Sequence, residues 1–229
     1  MIERLNSITV GSISQENLLT VQGNGYLFKD ALFFDLEHYI YKKPICVGVF
    51  GCCYFDQDNN KLEVTQYMIE NKNDIKSILK LARDYFKLMY EKYNKRYIIT
   101  FSGNNDFTVI NYLFEKYKIG FDINKHFIHI DLQKQYEKEK HECIGLKALE
   151  KQFSIFRDSE LISGSNLAKT FSKIIKDSDY ISRMPEDKKE KILLYNEQDV
   201  VSLFHIYVNW NKVINATEFL ETEEKVSHL

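Results

Sequence analysis

The hydrophobic and polar positions of this chain change their period as it proceeds. After the turn-like Gln22-Gly23-Asn24-Gly25, the apolar run Ala31 to Phe34 reads as a buried strand that continues into Asp35-Leu36-Glu37. Ile45 to Phe50 and Leu62 to Met68, divided by the polar turn Asp56 to Lys61, predict two more strands. With the first they suggest a three-stranded antiparallel meander. The period then lengthens. Ile75, Ile78, Leu79, Ala82, Phe86 and Met89 recur at helical spacing between Asp74 and Tyr93, with Asn73 or Asp74 as the cap. Tyr97 to Phe101 is the next strand, Ser102 to Asn105 a turn, Asp106 to Tyr117 a helix, and Phe127 to Asp131 a fifth strand. From Leu132 onward strand signals fade and the chain turns helical and Lys/Glu-rich. Pro185, followed by Glu186 and Asp187, marks the start of a long final helix. Residues 1–30 hold short β-like pieces and read as a lead-in hairpin. The order predicts an α/β fold, a mixed five-stranded sheet flanked by helices. It is read as one domain spanning 1–229, with a core at about 31–210 and a C-terminal tail at 211–229.

Composition narrows the class. A chain of 229 residues that is 44% hydrophobic can build a full core, and no stretch approaches the roughly 18 apolar residues of a membrane span. Met1 to Val10 lacks a basic region followed by an apolar one, so a cytoplasmic location is expected. Cys46, Cys52, Cys53 and Cys143 lack paired-ligand spacing, and buried thiols are expected rather than a disulfide or a zinc site. The formal charge of −2 argues against a protein that coats long duplexes, but it leaves room for an enzyme with an acidic site.

The acids supply the candidate chemistry. Side chains alternate along a strand, so Asp35 and Glu37 share one face while Leu36 takes the other. At about 5 to 6 Å and an effective dielectric near 20 their repulsion is roughly 3 kcal/mol. A retained proton or a cation must offset it, unless the strand end is simply wet. Asp106 sits on the apolar stripe of its helix with Val109, Ile110, Leu113 and Tyr117, although an Asp near a helix start is also a common cap. Asp199 lies within the apolar stripe Ile192, Tyr195, Leu203, Ile206 and Trp210, where an unpaired carboxylate costs several kcal/mol. Tyr195 is one turn away. Four carboxylates at one sheet edge would need cations, and hard oxygen donors suit Mg2+ or Mn2+. His129 and Asp131 read as alternating polar strand positions rather than an extra ligand pair. The lysines from Lys134 to Lys140 and from Lys169 to Lys191 read as solvated faces, with a phosphate track as the alternative.

Three signatures fall in order: Phe33-Phe34-Asp35-Leu36-Glu37, Phe101-Ser102-Gly103-Asn104-Asn105-Asp106-Phe107, and Tyr195-Asn196-Glu197-Gln198-Asp199. Assembled, they resemble the ribonuclease-H-like 3'-5' exonucleases of the DEDD superfamily, tyrosine subtype. His129-Ile130-Asp131-Leu132, Leu146-Lys147-Ala148-Leu149-Glu150 and Ile162-Ser163-Gly164 bring the likeness closest to the YprB-type branch. Ser102, Asn105 and His38-Tyr39 depart from the usual pattern. The resemblance implies two divalent ions, with Asp35 bridging them, Glu37 and Asp199 on the first and Asp106 on the second. It implies that Tyr195 orients the attacking water. The substrate would be DNA or RNA, entered at a single-stranded 3' end, and the products nucleoside 5'-monophosphates. An endonuclease on the same fold and a non-catalytic nucleic-acid-binding module are the competing readings. A helicase or repair partner and the oligomeric state stay open.

Overall fold

The computed structural model describes residues 1–157 and 162–215. Its centre is one mixed sheet of six strands in the order β1-β4-β3-β2-β5-β6. These are β1 (Ile2–Thr9), β2 (Ala31–Tyr41), β3 (Lys43–Asp56), β4 (Lys61–Met68), β5 (Tyr97–Thr100) and β6 (Ile128–Asp131). The expected meander is present: β2 pairs antiparallel with β3, and β3 with β4. β5 and β6 join in parallel through helical crossovers, α1 (Asp74–Glu91) before β5 and α2 (Asn104–Lys116) before β6.

The expectation of five strands and a lead-in hairpin needs correction. Residues 2–9 form a single edge strand against β4, with Ile2 opposite Met68 and Thr9 opposite Lys61. A weak alternation of partly buried and exposed residues hid this strand, because only one of its faces meets the core. The helical part comprises α3 (Leu132–Lys140), α4 (Leu146–Gln152), α5 (Gly164–Lys176) and α6 (Glu186–Val208). Trp210, expected on the last helix, lies just beyond its end and is fully buried. Of the tail at 211–229, residues 216–229 lie outside the described residues.

Alternation along β2 divides two cores. Leu32, Phe34 and Leu36 point to the face covered by α1, α2 and α5. Ala31 and Phe33 point to the other, against α6, α3 and α4. Asp35 and Glu37 therefore face α6. Phe33 and Phe204 meet edge to face at 5.4 Å, fixing α6 across the sheet just before the acids begin. α5 packs on β2 and β3, with its Phe171 ring so close over Gly48 that a Cβ there would be 2.4 Å away. Cys46, Cys52 and Cys53 are buried thiols, as expected, and Cys143 is exposed. Among the described residues no helix is long and apolar enough to cross a membrane.

Candidate metal centre

The site forms where the sheet opens. β5 pairs with β2 only from Ala31 to Phe33, so past Phe33 that edge of β2 has no strand partner among the described residues. A register irregularity between Glu37 and His38 bends the strand further. Asp35, Leu36 and Glu37 thus line an open cleft of about 580 Å³ with Phe101, Lys147, Tyr195 and Asp199.

Asp35, Glu37 and Asp199 each offer a carboxylate oxygen, and these oxygens lie within 4.8 Å of one another. Oxygens held by one Mg2+ or Ca2+ ion span about 4 to 5 Å, so this donor set fits a hard divalent cation. Asp106 is brought to the same place but stands outside this tight group. Its Oδ1 is 3.7 Å from His38 Nδ1, and it makes no cap on α2, whose first turn it occupies. Tyr195, one turn before Asp199 on α6, lines the cleft as well.

The charges are crowded. Burial, then the neighbouring Asp199, pushes the Asp35 carboxyl up to about 8, against a partial relief from its Asn196 hydrogen bond. Burial and then Asp35, Asp199 and Asp106 hold Glu37 well above the carboxylate range. Asp106 is raised by burial and by Asp35 and Asp199. Asp199 rises only to about 6, because Arg157 offsets its burial. Without added cations the cluster keeps protons near neutrality, the state that a divalent ion would replace. Tyr195 is also raised, by burial first and then by Asp199, so its phenol stays protonated.

Supporting residues surround the acids that the sequence did not single out. Asn196 Nδ2 donates to Asp35 Oδ2 at 3.0 Å, and Asn196 Oδ1 accepts from Gln66 Nε2 at 2.8 Å. Gln66 also donates to Leu193 O at 2.8 Å, so β4 and α6 together fix the amide that orients Asp35. Gly51 makes room: a Cβ there would stand 1.9 Å from Asn196 Oδ1. A signal existed. Leu62, Val64, Gln66 and Met68 alternate onto one buried side of β4, and a polar residue in that row calls for a partner. Arg157 was missed too. Its Nη2 donates to Asp199 Oδ1 and, at 2.5 Å, to Glu150 Oε1, while Nε donates to Glu150 Oε2 at 2.8 Å. Lys147 lies with Nζ 4.5 Å from the centre of the Tyr195 ring.

Asp131 and His129 are placed elsewhere. Asp131 accepts from Ser102 N, Gly103 N and Gln133 N, so it ties the turn before α2 to the start of α3. His129 Nε2 is 2.6 Å from Thr100 Oγ1 and its ring lies against Phe107. Ser102, which departs from the usual Asn, adopts φ 56°, and a Cβ at Gly103 would meet Thr100 Oγ1 at 2.1 Å. The turn is tight, and it carries Asp106 to the cleft.

A family model described as the RNase_H superfamily matches residues 32–211, which takes in β2 from its second residue, both crossovers and the whole of α6. No curated protein and no solved structure matches the chain.

Proposed function

The chain belongs to the RNase_H superfamily, and from that premise we propose that it is a metal-dependent nuclease, a 3'-5' exonuclease of the DEDD tyrosine subtype and YprB-type branch, working as a single domain. One observation carries the reading: carboxylates from β2 and from α6, remote in sequence, present oxygens within 4.8 Å of one another in an open cleft. Burying such a group without a cation costs several kcal/mol, and a fold keeps it where a cation is used.

Asp35, Glu37 and Asp199, with Asp106 beside them, would hold two divalent ions. Bound there, Mg2+ or Mn2+ supplies Lewis acidity and charge neutralisation for phosphodiester hydrolysis. The protein's own groups do the rest. Asn196 holds Asp35 in one rotamer through its 3.0 Å bond. Tyr195, kept protonated, orients the attacking water by a hydrogen bond rather than removing its proton. Lys147, on the rim of the same cleft, attracts the phosphate that approaches the acids. Arg157 balances Glu150 and Asp199, so the late helix delivers a carboxylate that remains charged at neutral pH more readily than its neighbours.

The test is cleavage of 5'-labelled single-stranded DNA and RNA in Mg2+ or Mn2+, with EDTA and Asp199→Ala as controls. The expected result is a ladder shortening from the 3' end, abolished by both controls. Cleavage of a circular strand would replace the exonuclease with an endonuclease, and binding without turnover would replace both with a binding module.

A further inference from the structure

A second cleft, of about 420 Å³, lies between α5 and α6 and is lined by Lys169, Lys173, Lys188 and Lys191. Its floor is Leu167 and Ile192, and Tyr180 forms part of its wall with Lys173 Nζ 5.7 Å from the ring centre. Four lysines lining one cleft is unexpected for a chain of net charge −2. Lys191 has a partial counter-charge in Asp187 at 3.8 Å. Lys169 and Lys188 have no carboxylate at ion-pair distance among the described residues, and both are exposed.

The cleft is aimed at the acids. Lys188, Ile192, Tyr195 and Asp199 succeed one another at steps of four, three and four along α6, so one face of a single helix runs from the lysines to the carboxylates. Eleven residues of helix rise about 16 Å. A stacked strand places one phosphate per roughly 3.4 Å, so that distance corresponds to about five nucleotides. The two clefts also share a seam, because Lys147 of the acid cleft donates from Nζ to the carbonyl of Ile162, which lines the lysine cleft, at 3.2 Å.

We propose that the α5–α6 cleft binds the phosphates and bases of a single nucleic acid strand about five nucleotides upstream of the bond at the acid cluster. This rests on the nuclease reading for its direction, though the binding can be measured without it. Lysines beside an aromatic ring and an apolar floor suit a single strand, whose phosphates meet the ammonium groups while a base stacks on the ring. A duplex would present phosphates but no free base faces, and it is far wider than a cleft of about 420 Å³.

The experiment measures binding by anisotropy of a fluorescent single-stranded 12-mer to the Asp35→Asn protein, alone and combined with Lys169→Glu, Lys173→Glu and Lys188→Glu. Lys76→Glu, Lys80→Glu and Lys87→Glu on α1 in the same Asp35→Asn background, three exposed lysines away from the cleft, control for net charge; thermal melting checks folding. Affinity is expected to fall at least tenfold in the triple cleft variant. The slope of log affinity against log salt should shrink by about 2, near 0.7 for each lost phosphate contact. The α1 triple should change neither strongly. An unchanged affinity and slope in the cleft variant, an equal loss in the α1 control, or a blunt 12-bp duplex bound as tightly as the single strand would overturn the proposal. Cleavage by the unsubstituted protein together with unchanged binding in the cleft variant would remove the cleft and leave the nuclease reading. Binding lost in the cleft variant with no cleavage by any protein would do the reverse.

Discussion

Asp35, midway along β2, and Asp131, the last residue of β6, are aspartates of one sheet, and they solve burial in opposite ways. Asp131 is surrounded by donors: the amides of Ser102, Gly103 and Gln133 all point at it. Its charge is satisfied by the fold, and in return it pins two segments together. Asp35 receives the side-chain amide of Asn196 on Oδ2, and its other neighbours include Glu37, Asp106 and Asp199. Burial and like charge push it up to about 8. The difference teaches where to look for function. An aspartate with its donors supplied belongs to the architecture, and one aimed at other carboxylates is a candidate cation ligand.

The same substitution should split the pair. Asp35→Asn keeps shape and removes charge, so nuclease activity is expected to fall at least about a thousandfold while metal-free stability at pH 8 rises, by an amount on the order of 2 kcal/mol. Asp131→Asn removes one acceptor oxygen from three backbone amides and should lower stability by about 1 to 3 kcal/mol. Denaturant unfolding of the two proteins, beside the cleavage assay, reads both signs. A loss of stability in Asp35→Asn matching that of Asp131→Asn would make Asp35 an architectural acid as well.

Proton linkage sharpens the contrast next. Asp35 and Asp199 move from an ordinary 3.8 up to about 8 and about 6 in the folded protein. The folded state therefore binds more protons than the unfolded state between those values, so this contribution to stability is intact below about pH 4 and is lost as pH rises towards 8. The metal-free protein should melt about 5 to 10 °C lower at pH 8 than at the acid end of that window, allowing for other titrations. Millimolar Mn2+ should raise the melting temperature more at pH 8 than at pH 5, and Asp35→Asn should flatten both trends. A melting temperature indifferent to Mn2+ at pH 8 would count against the metal centre.

The smallest expected effect concerns the groups that orient Asp35. Gly51→Ala would force Asn196 away from its place, since the new Cβ falls 1.9 Å from Asn196 Oδ1. The expected outcome is a kcat lower by about tenfold to a hundredfold with KM little changed, and a stability loss of about 1 to 3 kcal/mol. Steady-state kinetics on a short oligonucleotide would read the split. An unaltered kcat would show that Asp35 needs no support from Asn196.

Much of this was legible because it depends on short-range periodicity. The period of two along β2 placed Asp35 and Glu37 together and Leu36 opposite, and the structure divides them in that way between its two cores. Helical spacing put Tyr195 and Asp199 on one face of α6, and the ordered signatures led to the fold. Other features were hidden. β1 reads weakly because its pattern is half solvent, and its partner β4 lies more than fifty residues away. The lysines of α5 and α6 look like ordinary solvated faces along the chain, and only the fold sets them around one cleft.

By itself the sequence determined which residues share a face: the two acids of β2, the tyrosine and aspartate of α6, and the stripes that bury each helix. Covalent geometry sets those periods, so they can be read without partners. The tertiary structure decided which faces meet. It ended β5 short of Asp35, brought Asp199 within 4.8 Å of the β2 acids, placed Asn196 and Gln66 behind Asp35, and set Arg157 against Asp199. Those contacts join residues far apart in the chain, and their energies depend on burial and on the charges that packing gathers.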